Sequence, residues 1–231
     1  MAISATVFND IPAALRLPGW YIEFDSRLAG NAVFMGKVLV IGQKLASGIP
    51  YSGNPVRITR KEQADQLFGR GSMLAEMMRA IKEVDLFTET WAIGLDDAAT
   101  AVEAEGDIEV TEGPTETRPL ALYVAGYRIW VEMTAGDDPD AVAQSIVDAV
   151  NADDRLPVTA VIDDVTTSKV NLTCRWGGET GNDIDLRDSV KGEQYPMGLQ
   201  LTYTQPTGGA VNPDMDPVIA GMGSEWWNWV C

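Results

Sequence analysis

Carboxylates are the residues of this chain best suited to chemistry, because histidine, the usual general base and metal ligand near neutral pH, is absent. There are 34 acidic and 17 basic side chains. Two carboxylates could hydrolyse a glycosidic bond, but no spacing singles out such a pair. The sequence contains no nucleophile elbow, phosphate-binding loop or dinucleotide-binding fingerprint. We therefore expect a protein that is not an enzyme, with carboxylate catalysis as the weakest alternative.

One short segment begins like a calcium-binding loop, with carboxylates at alternate positions from Asp183 to Asp188. It lacks the turn glycine, where Asp188 stands, and the final acid, where Gln194 stands. Acids facing solvent on a strand are the simpler interpretation. The segment Gly69-Arg70-Gly71-Ser72 is typical of a glycine-rich helix start and not of a phosphate site. No metal and no cofactor is expected.

The strong negative charge limits the choice of partners. The formal charge is −17 and the isoelectric point is near 4.2, so DNA, RNA and anionic lipid are repelled. We predict no nucleic-acid and no membrane partner. Acid pairs such as Asp137-Asp138, Asp153-Asp154 and Asp163-Asp164 fall at predicted turns and helix ends, where capping explains them.

Cysteine content and hydropathy predict the compartment. With Cys174 and Cys231 as the only cysteines, a disulfide framework is not expected, and the chain is predicted to fold in a reducing cytoplasm. No stretch approaches the roughly 18 apolar residues that span a bilayer, and residues 1–10 lack the pattern of a signal peptide.

The predicted secondary structure begins with a strand, helix, helix, strand unit. Residues 38–41 form an apolar run typical of a buried strand, and residues 86–93 indicate a second strand in a parallel pair with it. Thr59 with Glu62 predicts a capping box opening a helix to Phe68, and Ser72 is expected to cap a second helix. That second helix repeats apolar residues on one face: Leu74, Met77, Met78 and Ile81.

An acidic region rich in predicted strands follows. Residues 96–193 contain 22 acidic and 7 basic side chains. Asp138, with Pro139 at the first position, predicts a helix that buries Val142, Ile146 and Val150. Strands are predicted near residues 107–112, 120–124, 127–133, 158–162, 169–174 and 184–187. Mixed α/β (α+β) is therefore the expected fold class.

The two ends of the chain carry aromatic clusters. Residues 204–213 are predicted to be a linker, and a short helix then leads to Trp226, Trp227 and Trp229, which we expect to be buried by the first domain or by another chain. At the other end, Trp20, Ile22 and Phe24 alternate as in a strand with one apolar face. This strand is either an edge strand of its own domain or an arm that extends a neighbour's sheet.

Several short segments, in their order and spacing, carry a family resemblance. The two most specific are Phe68-Gly69-Arg70-Gly71-Ser72 and residues 181–187, Gly-Asn-Asp-Ile-Asp-Leu-Arg. The others are residues 11–12, 18–25, 38–43, 64–74, 156–160, 178–187, 212–215 and 222–223. Together they resemble the tail sheath protein of Mu-like contractile bacteriophages over nearly the whole chain.

The resemblance implies a structural subunit that polymerises as a helix around the tail tube and contracts to drive the tube through the host envelope. It implies self-association, contact with the tail tube protein and the baseplate, a place in the virion tail and synthesis in the host cytoplasm. Extended arms link neighbours in such sheaths, which favours the arm interpretation of the N-terminal strand. The expected interface residues are Trp20, Tyr21, Ile22 and Phe24 with Trp226, Trp227 and Trp229.

The implied organisation is an N-terminal arm at residues 1–25, the first part of a core domain at 26–95, an inserted acidic β-rich domain at 96–203, and a linker with an incomplete return to the core at 204–231. Members of this family are about twice as long, so the chain corresponds to their N-terminal part. The alternative is a β-rich binding module of a phage tail or baseplate.

Overall fold

The structure is a computed structural model that describes residues 36–49 and 53–231. The predicted arm, with Trp20, Tyr21, Ile22 and Phe24, lies outside the described residues. The strands are β1 (Lys37–Gln43), β2 (Val56–Ile58), β3 (Glu89–Leu95), β4 (Glu103–Glu112), β5 (Leu120–Val124), β6 (Tyr127–Val131), β7 (Val158–Ile162), β8 (Lys169–Gly177), β9 (Leu186–Asp188), β10 (Gln200–Thr207) and β11 (Trp229–Val230). The helices are α1 (Lys61–Phe68), α2 (Met73–Val84), α3 (Pro139–Ala152) and α4 (Asp216–Met222), with a 3-10 helix at Glu179–Asp183.

The first sheet has the order β11-β1-β3-β2. β1 and β3 run parallel, in register from Lys37 opposite Glu89 to Gln43 opposite Leu95. Helices α1 and α2 connect them and bury Phe68, Leu74 and Met78 against the sheet. The predicted strand, helix, helix, strand unit is therefore present. It also includes β2, which pairs antiparallel with β3 and was not predicted.

The helix starts in this unit differ in how well the sequence predicted them. Ser72 caps α2 as expected, because its Oγ accepts a hydrogen bond from the Ala75 N–H at 3.1 Å. The Thr59 capping box was wrong: α1 begins after Arg60, which makes no side-chain cap. The Gln63 side chain instead accepts the Thr59 N–H at 3.1 Å.

Strand β3 begins three residues later than the apolar run 86–93 suggested. The Asp85 carboxylate accepts the N–H groups of Phe87, at 2.9 Å, and Thr88, at 3.0 Å. These bonds fold the chain into a turn, so Leu86 and Phe87 are exposed instead of paired in the sheet.

Two antiparallel sheets and α3 form the second part of the structure. Their orders are β10-β4-β8-β7 and β6-β5-β9. Asp138 caps α3 by accepting the Ala141 N–H at 2.8 Å, with Pro139 at the first position as predicted. The predicted inner face of α3 is fully buried at Val142, Ile146 and Val150. β5 and β7 have the predicted bounds, whereas β4 starts earlier and β6 ends earlier than predicted.

The region after β9 departs most from the prediction. Residues 204–207 are the end of strand β10 and not a linker. The predicted short helix is α4, and after it the chain returns to the first sheet as β11.

Mixed α and β structure confirms the predicted fold class, while the division of the chain into domains stays a prediction. No helix in residues 36–49 or 53–231 is long and apolar enough to cross a membrane.

Candidate assembly interface

The candidate interface is the β11 edge of the first sheet, where the C-terminal tryptophans lie. β11 runs parallel to β1, with Val38 opposite Trp229 and Leu39 opposite Val230. Backbone bonds extend this pairing on both sides, from Asn228 N to Lys37 O at 3.0 Å and from Ile41 N to Cys231 O at 2.8 Å. Among the described residues β11 is the outermost strand on this side of the sheet.

Side chains reinforce the attachment of β11. The Lys37 N–H donates to the Asn228 side-chain oxygen at 2.8 Å. The Lys37 ammonium lies 3.2 Å from the Glu225 carboxylate, an exposed pair of small energetic weight. The ring of Trp229 fills the space that a side chain at Gly36 would need. A glycine at this position therefore lets the tryptophan ring approach the backbone closely.

The three tryptophans have different environments. Trp227 packs edge-to-face on Trp91, with ring centroids 5.9 Å apart and planes at 69°, in an apolar cluster with Leu39, Ile93, Leu95 and Val218. Trp229 is 50% exposed and Trp226 is 79% exposed. Within the chain the first sheet covers Trp227 but leaves Trp226 largely uncovered, so an interface role for the cluster stays a prediction.

A polar clasp joins the carboxyl end of β1 to β8 and the 3-10 helix. The Gln43 side chain is buried, and its Nε2 donates to the Asp97 carboxylate at 2.7 Å and to the Gly177 carbonyl at 2.5 Å. Asp97 also accepts the Gly177 N–H at 2.9 Å, and Thr180 donates to Gln43 Oε1 at 3.2 Å. These bonds hold the first sheet against the second part of the structure.

A second set of contacts lies at the α2 side of this junction. The Tyr127 hydroxyl donates to Glu76 at 2.5 Å, and burial together with the Glu76 carboxylate raises the pKa of Tyr127 to about 12. Arg79 pairs with both Glu76 and Asp65. The tyrosine therefore remains a neutral hydrogen-bond donor at any physiological pH.

The first of the two most specific sequence segments lies at this junction, and the second packs within the second part of the structure. Gly71 has φ +80°, and a Cβ there would be 2.6 Å from the Asp154 carbonyl oxygen, so only glycine fits. Residues 181–187 run from the 3-10 helix into β9, where Asn182 bonds both the N–H and the carbonyl of Gly209. The structure thus gives each segment a packing role.

The acidic segments make no shared ion site. Asp185 pairs with Arg187 at 2.7 Å, and Asp188 accepts the Tyr203 hydroxyl at 2.7 Å. Asp163 accepts the N–H groups of Thr166 and Val165 and the Asn171 amide, which lower its pKa to about 2. In the part of the chain that the structure describes, no group of three or more cysteines or acids could hold a metal ion. An apolar pocket of about 320 Å³ lies near the ends of β1 and β11, between Ile41, Leu95 and Cys231.

Comparison with known proteins gives one informative relative. The chain is 42% identical over 226 residues to the Mu-like prophage FluMu tail sheath protein of Haemophilus influenzae. The chain is therefore similar to a Mu-like phage tail sheath protein. The match covers 96% of the chain and 46% of the relative, so the chain spans about half the length of the sheath protein it matches. No protein-family model matches it.

This relationship confirms the resemblance noted in the sequence, and the relative is named as a tail sheath protein and not as an enzyme. Sequence reasoning singled out the tryptophans but missed the clasp around Gln43. A glutamine at a strand end carries no pattern of its own. Only the buried position of Gln43, between two parts of the fold, makes it important.

Proposed function

We propose that the chain is a structural subunit of a phage tail sheath that assembles with copies of itself. The observation that carries this proposal is the match to a named tail sheath protein along almost the whole chain. Its extension follows the family resemblance: a helical polymer surrounds the tail tube and contracts to drive it through the host envelope. The tail tube protein and the baseplate are the proposed further partners, in a virion tail assembled in the host cytoplasm.

Strand addition is the proposed means of linking copies. The arm at residues 1–25 would present Trp20, Ile22 and Phe24 on one face of a strand and pair with a sheet edge of a neighbour. Sheet edges among the described residues are β2 and β11, β7 and β10, and β6 and β9. Backbone hydrogen bonds would give this link its strength, and the alternating side chains would set its register.

The β11 edge is the proposed second contact. Trp229, on the outermost described strand of the first sheet, is 50% exposed, and Trp226, three residues before that strand, is 79% exposed. Large aromatic side chains at such a position gain most when a partner covers them. We expect Trp226 to be buried, and the single chain does not bury it. A contact between copies at this edge would do so.

The acidic region is proposed to be an outward-facing insert. Among the described residues, its two sheets are built from residues 103–207, four residues past the predicted end at 203, and the first sheet from residues 37–95 and 229–230. The charge excess lies in the proposed insert, where it would promote solubility without opposing contacts between core domains.

The test is negative-stain electron microscopy of the purified chain over a concentration and salt series, together with a variant lacking residues 1–25. Rings or tubes of regular width from the full chain, lost or weakened in a folded truncated variant, are the expected result. A strictly monodisperse full-length chain at every condition would contradict self-assembly. A truncated variant that does not fold would contradict the arm assignment alone.

A β-rich binding module remains the second candidate. A polar groove of about 510 Å³ on the β10-β4-β8-β7 sheet favours it, since Asp107, Lys169 and Asn171 converge there. Discrete particles that bind a ligand saturably would support this module over a polymer.

A further inference from the structure

An exposed apolar turn follows α2. Val84 is 90% exposed, Leu86 64% and Phe87 98%. The Asp85 carboxylate holds this turn through the hydroxyl and N–H of Thr88 and the N–H of Phe87, and these bonds lower its pKa to about 2. The turn is therefore a fixed structure that displays three large apolar side chains. We refer to residues 84–88 as the Phe87 turn.

Unpaired cations lie beside the Phe87 turn. Among the described residues, Arg57, Arg60 and Lys61 are the basic side chains without a carboxylate, hydrogen-bond or aromatic partner. The other Lys and Arg side chains are paired with acids, bonded to oxygen atoms or placed over a ring. Acids outnumber bases two to one in the chain, so basic side chains without an acidic partner are unusual in it. These three are available to pair with acids of a second chain.

A cleft of about 320 Å³ connects the cations to the apolar turn, lined by Arg60, Lys61, Glu62, Lys82, Glu83 and Leu86. Burial lowers the pKa of Lys82 in this cleft, the nearby Asp85 carboxylate raises it, and the charge of Arg57 lowers it. Counting the neighbouring Asp85, three acids match the three cations of the cleft, so this surface is close to neutral in a chain of net charge −17. This surface therefore does not repel a second copy of the chain, whose net charge is negative.

A complementary turn lies in the acidic region, between β7 and β8. Val165 is 91% exposed there, beside the exposed Asp164, which has no ion-pair partner among the described residues. Asp163 fixes this turn by accepting the N–H groups of Val165, at 3.0 Å, and Thr166, at 2.8 Å. We refer to residues 163–166 as the Val165 turn.

We propose that the Phe87 turn of one copy binds the Val165 turn of a second copy, with Arg60 and Lys61 facing Asp164. Phe87 and Val165 are both almost fully exposed in the single chain, so they do not cover each other within it. The contact joins two different surfaces, and such head-to-tail contacts produce rings or open helical polymers. The inference rests on the proposed self-assembly and assigns one of its contacts.

Disulfide trapping between two variants tests the contact. Both carry Cys231→Ser, because Cys231 is exposed, whereas Cys174 is buried and burial raises its pKa to about 11. One variant adds Phe87→Cys and the other, with a size tag, adds Val165→Cys. A mixed disulfide on mild oxidation is expected. Val190→Cys, at a side chain 53% exposed in the same acidic region, is the matched control.

Equal yields with Val165→Cys and Val190→Cys would overturn the assignment, because they would show random collision. A charge exchange adds a second criterion. Arg60→Glu with Lys61→Glu should lower the mixed-disulfide yield about tenfold, and Asp164→Lys in the partner should restore it. The two introduced glutamates would stand at the N-cap and the first residue of α1, where negative charge favours the helix, so the variant should remain folded.

Sedimentation of the unmodified chain separates the two proposals. Self-association without the Phe87–Val165 disulfide would refute this contact and leave the assembly proposal standing. A chain that neither associates nor forms the mixed disulfide would refute both.

Discussion

Replacing Trp226 or Trp227 by alanine should separate folding from assembly. Trp227 packs on Trp91 within the apolar cluster that includes Leu39 and Val218. Truncating a fully buried tryptophan costs about 3–5 kcal/mol. Trp227 is only partly buried, and its Nε1 has no hydrogen-bond partner among the described residues, so we expect about 2–3 kcal/mol. Trp226 is 79% exposed, and its replacement should change the free energy of unfolding by less than about 0.5 kcal/mol.

The assay has two parts. Urea unfolding followed by circular dichroism gives the free energy of unfolding, and analytical ultracentrifugation gives the extent of self-association. Trp226→Ala should leave the first unchanged and reduce the second, whereas Trp227→Ala should lower the unfolding midpoint. Trp130→Ala is the control, because Trp130 is 46% exposed on β6, away from the first sheet, and should leave association unchanged.

Two results would refute this reasoning. Equal destabilisation by Trp226→Ala and Trp227→Ala would mean that the difference in their burial has no energetic meaning. A loss of association with Trp130→Ala as large as with Trp226→Ala would mean that any exposed tryptophan contributes and that the β11 edge is not a specific contact.

Three further predictions concern the junction and the turns. Gln43→Ala should lower the free energy of unfolding by about 2 kcal/mol in urea, because the buried Gly177 carbonyl loses its side-chain donor; an unchanged midpoint would mean that this bond is dispensable. Asp138→Ala should cost about 1 kcal/mol through loss of the α3 cap, and Asp140→Ala, which removes no cap bond, is the control that must cost less. Asp163 has a lowered pKa, so its contribution to stability is complete above the ordinary value of 3.8 and is lost as the pH falls to about 2. Asp163→Asn should flatten the dependence of the melting temperature on pH in that window, and an unchanged slope would contradict the assignment.

The best-predicted elements are those with complete local signals. β5 and β7 were predicted at their observed bounds from short apolar runs between turn residues, and the Asp138 cap fixed the start of α3. In each case the deciding interaction lies within a few residues along the chain. The resemblance to tail sheath proteins likewise depended on short segments, and the comparison confirmed it.

The missed elements depend on distant partners. β11 has two residues and exists because the edge of β1 is available to pair with it, a contact across almost the whole described chain. β10 was missed because Pro206 and the following glycines indicated a linker. Pro206 lies where the pairing with β4 is interrupted between Thr204 and Thr207, and a proline is tolerated there because its missing N–H is not required.

The prediction that Leu86 and Phe87 belong to strand β3 failed for a different reason. Apolar residues before a strand are normally part of it, and their exposure contradicts the hydrophobic pattern. Asp85 overrides that pattern with hydrogen bonds that form only if the chain turns. Conflict between local pattern and structure is expected at functional surfaces, which agrees with the proposed contact of this turn.

The junction bears on how such a subunit could move. Buried or partly buried hydrogen bonds join Gln43 of the first sheet to the acidic region, and Tyr127 of the acidic region to Glu76 of helix α2. Gly71 allows backbone contact at the same boundary, where any side chain would collide with the Asp154 carbonyl. Bending there would break several of these contacts together, so we expect the described residues 36–49 and 53–231 to move as one body. Rearrangement during the proposed contraction would then occur between copies, at the β11 edge and the Phe87 turn.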